Sequence, residues 1–468
     1  MSNKKFGVLR QTFGYTNTLD AYVPELWAMA TLELLFENMV IGNLVHRDFS
    51  DEVRNFGDVV NTRKRGKYTA QRKTTTEVTS SDSDATNVAV SLNHHAYTTL
   101  EIKDTEMSYA FKDLVSEFLQ PAVMSLVKYV DLMLIARMYS FIDSHSIGTL
   151  GGLTSSNAKN KILDVRTANN IALQPVSGRH ILWGPTSEGL ILQNDAFTQA
   201  YAVGDNGTAF EQAKIGRKLG YDHWMCQNMP EVATGSTTGA GAVNNASGYS
   251  AGATSMTVDG AGSTTTNIAI GSWFTINGYV HQVATLTGSP SVTAVTFTPA
   301  LHAAVADNDV ITWYKPGAIN NASGYTVGTL AAAGALTVDG FSVAPKAGQL
   351  LTIGSYGGPR YMVISATTTS ITLDRPLDAS VADDAVVGLG PAGNFNFEFD
   401  RNAICLVSRP LAVVPAGMGV FSGVAQNRGL GMRVTRAYDP RAQTHLLTLD
   451  MLVGSQVLDI DRGAIVSA

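Results

Sequence analysis

The sequence predicts an α+β chain that carries an inserted tandem pair of small all-β domains. Three observations lead there. From Thr105 to about Ser144, apolar residues recur at Phe111, Leu114, Val115, Phe118, Leu119, Ala122, Leu126, Val130, Met133, Leu134, Met138, Phe141 and Ile142. Steps of three and four are the period of one long helix with a buried face. A pattern rich in Gly, Thr and Val occurs twice between Asn244 and Asp383. The mixed character found before Pro230 returns at Asn394, so 230–393 looks inserted into one discontinuous domain.

In chain order, residues 1–22 are polar and aromatic without period and read as an extended arm. A first helix is expected from Pro24, a favoured first-turn residue, with Glu25 complementing the helix dipole. It runs through Leu26, Trp27, Ala30, Leu34 and Leu35 to about Asn38, and Met39 to Val45 reads as a buried extended segment. Residues 50–103 change character. Gly57-Asp58-Val59 looks like a strand start, Arg63, Lys64, Arg65, Lys67, Arg72 and Lys73 form a basic run, and Thr74 to Thr86 is polar. Val88 to Leu92 and Tyr97 to Ile102 alternate like paired strands, so the segment reads as a long hairpin with a polar tip.

The long helix follows. At 1.5 Å per residue it spans roughly 55–60 Å, more than one compact domain needs. Asp104 or Thr105 can cap it, and Pro121 inside the pattern predicts a kink or a break into two helices. Beyond a loop at Gly148 to Ser156, helices are expected at Ala158 to Ala172 and Pro185 to Gln193. Strands are expected at Arg179 to Trp183 and within Lys214 to Cys226.

Thr234 to Gly241 reads as a flexible linker into the repeat. Asn244-Asn245-Ala246-Ser247-Gly248-Tyr249 recurs as Asn320-Asn321-Ala322-Ser323-Gly324-Tyr325. Thr257-Val258-Asp259-Gly260 recurs at Thr337 to Gly340, Thr275-Ile276 at Thr352-Ile353, and Val305-Ala306-Asp307 at Val381 to Asp383. The offsets are 76, 80, 77 and 76, so register holds apart from a small insertion. Short strands between turn residues predict two barrels or sandwiches, at about 243–316 and about 319–390. After Asn394, strands are expected at Phe395 to Phe399, Ala403 to Val407, Met432 to Val434, Leu446 to Asp450 and Gln456 to Ile460, the last leading into Gly463 to Val466.

Bulk properties narrow the function. The chain has 468 residues, enough for about two to four domains. A net charge of −6 gives no overall nucleic-acid footprint, and 15% charged residues suits a surface that meets copies of itself and equally a β-rich chain with many small residues. Two cysteines, Cys226 and Cys405, make neither a disulfide framework nor a metal pattern. The first twenty residues hold no apolar run, so no signal peptide is expected, and no stretch is long and apolar enough for a membrane helix.

The chemical motifs are weak. Gly248-Tyr249-Ser250-Ala251-Gly252 spells a nucleophile elbow, but it lies in a Gly/Ser repeat without a following helix, and the second copy has Thr326 in place of the serine. Gly388 to Gly393 spells a dinucleotide fingerprint, yet a strand-like stretch follows it, so it reads as a return linker. His94-His95 would point to opposite faces of a strand. Asp82 and Asp84 read as a solvated loop, and Asn245-Ala246-Ser247 and Asn321-Ala322-Ser323 spell glycosylation acceptors in a chain with no expected export signal. No catalytic residue, cofactor or metal site is expected, and a structural role is favoured over an enzymatic one.

The order of parts resembles the major capsid (coat) protein of tailed bacteriophages, the Hong-Kong-97-type fold. The carriers are the arm, Val23-Pro24-Glu25-Leu26-Trp27, the hairpin after Gly57-Asp58-Val59, the spine helix and the mixed domain. The chain is most similar to short-tailed-phage coat proteins with an inserted β-domain. Gly220-Tyr221-Asp222 to Asn228-Met229-Pro230, and Arg401-Asn402-Ala403 to Ser408-Arg409-Pro410-Leu411, look like the flanks of that insertion. Arg436 to Asp439 and Asp450 to Gly454 also fit. The resemblance covers roughly 20–230 and 394–468, and it departs in having a doubled insert.

The resemblance implies an arm and first helix at 1–49, an extended loop at 50–103, and a spine helix of the peripheral domain at 104–145. The first part of an axial domain is at 146–229, the insert at 230–393, and strands completing both domains at 394–468. It places Arg63, Lys64, Arg65, Lys67, Arg72 and Lys73 against a neighbouring subunit and makes Pro121 the kink of the spine. It implies hexamers and pentamers of the chain itself, a scaffolding protein during assembly in the host bacterial cytoplasm, and a portal protein. It also implies double-stranded DNA packaged in the virion without sequence-specific contacts, room for a decoration protein, and no membrane. Lys64 and Lys67 lie in the kind of loop that forms Lys–Asn cross-links in some relatives, but no partner is singled out and none is expected. The alternative is a surface adhesin or fibre binding carbohydrate through the twin β-modules.

Overall fold

The computed structural model describes residues 22–47, 59–63, 70, 72–73, 87–103, 119–144, 146–199, 212–232, 239–261, 268–328, 335–354, 356–391, 393–415 and 420–468. The arm at 1–21 and most of the polar hairpin tip fall outside these residues, as does the first part of the spine at 104–118.

Helix α1 (Tyr22–Asn38) is followed by α2 (Ile41–Leu44). The latter is a single helical turn where an extended segment was expected. Asn43 donates to the carbonyls of Met39 and Phe36, which ties the turn back onto α1, and Ile41 and Leu44 are buried. Strands β1 (Val59–Arg63) and β2 (Asn87–Ser91) pair antiparallel. Strand β3 (His94–Lys103) follows after two residues and does not pair with β2, contrary to expectation. It turns away because His94 and Ala96 are buried and its face meets α3 (Gln120–Met138). His94 Nδ1 lies 2.8 Å from the Tyr129 hydroxyl, and Thr98 Oγ1 lies 2.8 Å from Ser125 Oγ. The apolar side of α3, including Ala122, Val123, Leu126, Val127, Val130, Met133 and Leu134, is buried, and a 3₁₀ turn at Tyr139–Asp143 continues it. Strand β4 (Ser146–Ile147), helix α4 (Ala158–Ile171), strand β5 (Arg179–Trp183), helices α5 (Pro185–Leu192) and α6 (Asp195–Thr198), and strands β6 (Arg217–Lys218) and β7 (Tyr221–Met225) follow.

Two closed barrels come next. The first is built from β8 (Gly239–Val243), β9 (Ser255–Asp259), β10 (Trp273–Ile276), β11 (Tyr279–Thr287), β12 (Ala294–Thr298) and β13 (Val310–Trp313), closed in the order β10-β11-β12-β9-β8-β13. The second uses β14 (Gly317–Ile319), β15 (Ala335–Asp339), β16 (Leu350–Ile353), β17 (Arg360–Ala366), β18 (Ser370–Leu373) and β19 (Val386–Leu389), in the order β14-β15-β18-β17-β16-β19. Strand for strand, the two circuits are the same. Each has an irregularity at the matching place, after Val283 and after Val363. Closure leaves neither barrel an open sheet edge.

The repeated Asn-Asn-Ala-Ser-Gly-Tyr motif makes one turn, built twice. Asn245 and Asn321 each donate from the side-chain amide to the carbonyl three residues on, at 2.7 and 2.9 Å. Gly248 and Gly324 sit at φ of 63° and 62°, and a Cβ there would run into the carbonyl of Val305 or Val381. Glycine is required by both the conformation and the close approach. The tyrosines bridge to those valines, and their hydroxyls meet Thr257 and Thr337 Oγ1 at 2.8 Å.

The remaining strands are β20 (Phe395–Asp400), β21 (Ile404–Arg409), β22 (Val420–Asn427), β23 (Leu430–Asp439), β24 (Thr444–Val457) and β25 (Gly463–Ser467). Between the last two, Ile460–Arg462 forms a 3₁₀ turn, so the strand expected at 456–460 ends at Val457. One sheet runs β4-β25-β20-β5-β7-β6 and packs α4, α5 and α6 through Ile162, Val165, Trp183 and Tyr221. The other runs β21-β24-β23-β22, with all ten residues of β3 along β24. Its apolar face shares a core with α1 and α3. The chain leaves the first sheet at β7, builds both barrels, and re-enters the same sheet at β20. Trp273, Val280, Leu350 and Met362, at the bases of the barrels, belong to the core of the body.

Candidate functional site

Arg63 ends β1, and Arg72 and Lys73 are exposed, while Lys64, Arg65 and Lys67 lie outside the described residues, as do Asp82 and Asp84. Pro121 stands in the first turn of the described α3, where its missing N–H is tolerated. Leu119, before it, also has helical backbone, and residues 104–118 lie outside the described residues. Ser250 is exposed on a barrel turn. Gly388 belongs to β19, and β20, not a helix, follows the Gly-rich return. His94 is buried against Tyr129, while the half-exposed His95 points to Asp450 at 3.3 Å. Burial, followed by the charge of Arg137, lowers the His94 pKa to about 3, so this ring is neutral. Among the described residues no group of three His, Cys, Asp or Glu side chains could hold a metal. No described helix is long and apolar enough to cross a membrane.

The structure gathers its charged chemistry at a joint between the spine and the second barrel. Asp374 and Arg375, just past β18, have side chains 1% and 2% exposed that lie 2.8 Å apart. Arg375 also reaches Asp378 at 2.8 Å and donates to the carbonyl of Arg360. Asp378 takes a second guanidinium, that of Arg137 on α3, at 3.1 Å. Arg360 of β17 pairs with Asp143, just past the spine, and lies over the Trp273 ring of the first barrel at 5.5 Å. Burial opposes the charge on Arg375, but Asp374 and Asp378 outweigh it and hold the guanidinium above its usual pKa. Burial would raise Asp378, but Arg375 and Arg137 overcome it and hold the carboxyl below its usual value. Beside this network opens a cleft of about 510 Å³ bordered by Arg137, Asp143, Arg360, Asp378 and Gln456.

Neutral contacts extend the joint. Tyr139 donates to the carbonyl of Gly348 at 2.7 Å, and Pro230 and Val232 crowd the same glycine. The matching glycine of the first barrel, Gly271, turns its carbonyl to Gln282 at 3.0 Å and to Thr352 of the second barrel at 3.2 Å. Trp273 Nε1 donates to Thr352 Oγ1 at 3.2 Å. The first barrel also touches the body where Leu150 N–H donates to the Gly278 carbonyl. The Asp374–Arg375 pair is buried, and the two pairs that reach the spine, Arg137–Asp378 and Arg360–Asp143, are partly so.

Two buried carboxyls lie elsewhere in the body. Asp131 of α3 accepts from Asn228 at 2.9 Å, just before the chain enters the barrels, and burial raises its pKa to about 6. Glu398 on β20 is fully enclosed, and burial raises its pKa to about 8, which favours the protonated form.

No motif announces the joint, because its partners are far apart in sequence: Arg137 and Asp378 by 241 residues, Asp143 and Arg360 by 217. One signal could have found it. Asp374, Arg375 and Asp378 break the repeat, since Thr298, Pro299 and His302 stand at those places in the first copy. Charge gained in one of two otherwise matched modules marks the face that has acquired a new neighbour.

No protein-family model matches the chain, and no curated protein matches it. Among solved structures it is similar to a chain from Mycobacterium phage Che8, at 10% identity and a TM-score of 0.45, over 92% of this chain and 90% of that one. It is also similar to the capsid structure of the cyanophage P-SCSP1u, at 10% identity and a TM-score of 0.41, over 88% and 84%. The mature capsid of bacteriophage PhiM1 gives 9% identity and a TM-score of 0.39, over 88% and 82%.

Proposed function

We propose that this chain is the shell-forming subunit of a tailed-phage head, with a Hong-Kong-97-type fold and a doubled β-insert. The observation that carries the reading is the path of the chain. A spine helix lies on a sheet of long strands fed from both ends of the chain, a paired arm precedes it at β1 and β2, and a second sheet is interrupted by an insert and then completed. Function in such a subunit comes from shape and from contacts with copies of itself. The polar atoms of the repeated Asn-Gly-Tyr turns are engaged in holding the turns, which favours a bracing module over a sugar-binding one.

The subunit assembles as hexamers and pentamers around a scaffolding protein in the host bacterial cytoplasm. It leaves one vertex to a portal protein, and then encloses packaged double-stranded DNA. The basic run from Arg63 to Lys73 braces the extended loop on a neighbour, and a bend at Pro121 adapts the spine to its different positions. The shell leaves room for a decoration protein. Electron microscopy of the purified full chain, with and without a scaffolding protein, tests this. Closed shells are the expected outcome. Monomers or small oligomers under every assembly condition would sink the proposal.

A further inference from the structure

Helix α4 ends in a motif that is built for glycine and holds leucine. Gln174 N–H donates to the Asn169 carbonyl at 3.0 Å and Leu173 N–H to the Asn170 carbonyl at 3.1 Å. That is the paired Schellman closure, whose next-to-last residue is left-handed and usually glycine. Here it is Leu173, at φ 56°. A side chain in that conformation works against the fold. Burial could compensate, but Leu173 is 89% exposed, and Ile171 and Val176 beside it are 77% and 63% exposed. The fold buries little of these three side chains.

The loop that carries them is held rigid from behind. Arg179, itself buried, donates to the carbonyls of Gln174 at 2.8 Å and Pro175 at 2.6 Å and to Asn170 Oδ1 at 3.0 Å. Gln174 is buried and donates to the carbonyl of Asp461 at 2.5 Å. A strained, exposed, apolar turn fixed by a buried clamp is pre-organised for contact outside its own chain.

We infer that the turn Ile171–Leu173–Val176 is a preformed contact by which one copy of this chain grips the next. This rests on the shell reading and names a residue-level contact within it. The size of the patch selects the occupant. Three side chains expose on the order of a few hundred Å², at the scale of a functional patch. A standard two-body interface buries about 800 Å² on each partner. A partner held only here would bind weakly. Copies of the chain, which meet one another on several faces of a closed ring at once, make a patch of this size effective.

Leu173→Gly gives the test, because it separates folding from assembly. Glycine suits the left-handed position, so thermal unfolding of the dissociated full-length chain should occur at the same or a higher temperature than in the parent. Assembly of the same protein, followed by light scattering and electron microscopy, should need a several-fold higher concentration. Leu173→Asn, which also tolerates the conformation, should behave alike. Assembly of both variants at the parent's threshold overturns the inference and leaves the shell reading intact. If the parent itself forms no shells, the shell reading fails, and sedimentation then decides the inference. Self-association of the parent that Leu173→Gly weakens upholds it, and no such difference overturns it.

Discussion

The two barrels share a sequence pattern, a strand order and a turn, yet they are held in different ways. In both, the turn glycine backs onto a valine carbonyl, and a second pair of matched bonds joins Gly252 to Leu301 and Gly328 to Leu377, at 2.7 and 2.8 Å. At the base they part. The second barrel has Arg360, Asp374, Arg375 and Asp378 locked to the spine, while the first has Val280, Thr298, Pro299 and His302 at those places. The first barrel rests on the second through Thr352 and Arg360, and on the body through the Leu150 contact and the buried Trp273 and Val280. Contacts inside a module persist in both copies because each copy needs them to close. Contacts outside it diverge, since among the described residues the ion pairs to the helix end come from the second copy.

The largest test of this difference is Arg375→Met. It leaves the buried Asp374 facing an apolar side chain, while Asp378 keeps Arg137, and breaking a buried ion pair from one side costs roughly 3–5 kcal/mol. His302→Ala in the first barrel removes an exposed ring stacked on Tyr279 and should cost no more than about 1 kcal/mol. Urea unfolding of the full-length variants compares them. Similar losses would mean that the ionic joint does not distinguish the barrels.

What could be read from the sequence follows the same division. The Asn-Asn-Ala-Ser-Gly-Tyr motif was visible because it recurs in register, but its contact with Val305 or Val381, more than fifty residues on, was not. The buried face of the spine was visible in the spacing of Ala122, Leu126, Val130, Met133 and Leu134. Pairing was not. Strand β3 alternates as a partner of β2 would, but alternation fixes which face is buried and not which strand lies alongside, and β24 comes from some 350 residues later, His95 lying opposite Leu452. The helical turn at Ile41–Leu44 escaped notice because four residues are too few to show a period. The ionic joint is assembled from charged residues that, taken singly, look like solvated surface.

A second test is acid. Asp378 has its folded pKa held below the usual 3.8 by Arg375 and Arg137 against the effect of burial. As the pH falls through the usual value, the unfolded chain takes up the proton first. The stability this carboxylate contributes is therefore present above about pH 4 and declines below it, until the folded group is protonated too. Thermal melting of the parent against Asp378→Asn between pH 5 and 2 reads this out. The variant should be less stable at pH 5, and the gap should narrow on acidification. A gap that is constant with pH would mean that the charge on Asp378 does not hold the joint.

Smaller effects should appear in both barrels alike. Gly248→Ala and Gly324→Ala each place a methyl group against a valine carbonyl at φ near +60°. The left-handed conformation alone costs about 1–2 kcal/mol for a residue with a Cβ, and the crowding adds to it. Chemical unfolding of the two variants should show matched losses. Unequal losses would place the divergence inside the modules as well as at their bases.

The smallest test bears on whether the turns are energetic equals. The Tyr249 hydroxyl accepts from Thr257 N–H at 2.8 Å and meets Thr257 Oγ1, and Tyr325 does the same with Thr337 at 3.0 and 2.8 Å. Both rings pack partly on the barrel cores, so phenylalanine keeps the packing and deletes only the hydroxyl. Each lost hydroxyl should cost about 0.5–1.5 kcal/mol. Water reaches the freed Thr257 and Thr337 groups, which puts the expected value at the lower end of that range. The pair matters more than the size. If Tyr325→Phe costs clearly more than Tyr249→Phe, the clamp on the spine must reach across the second barrel to its outer turn, and the two modules cannot be treated as one fold with two different bases.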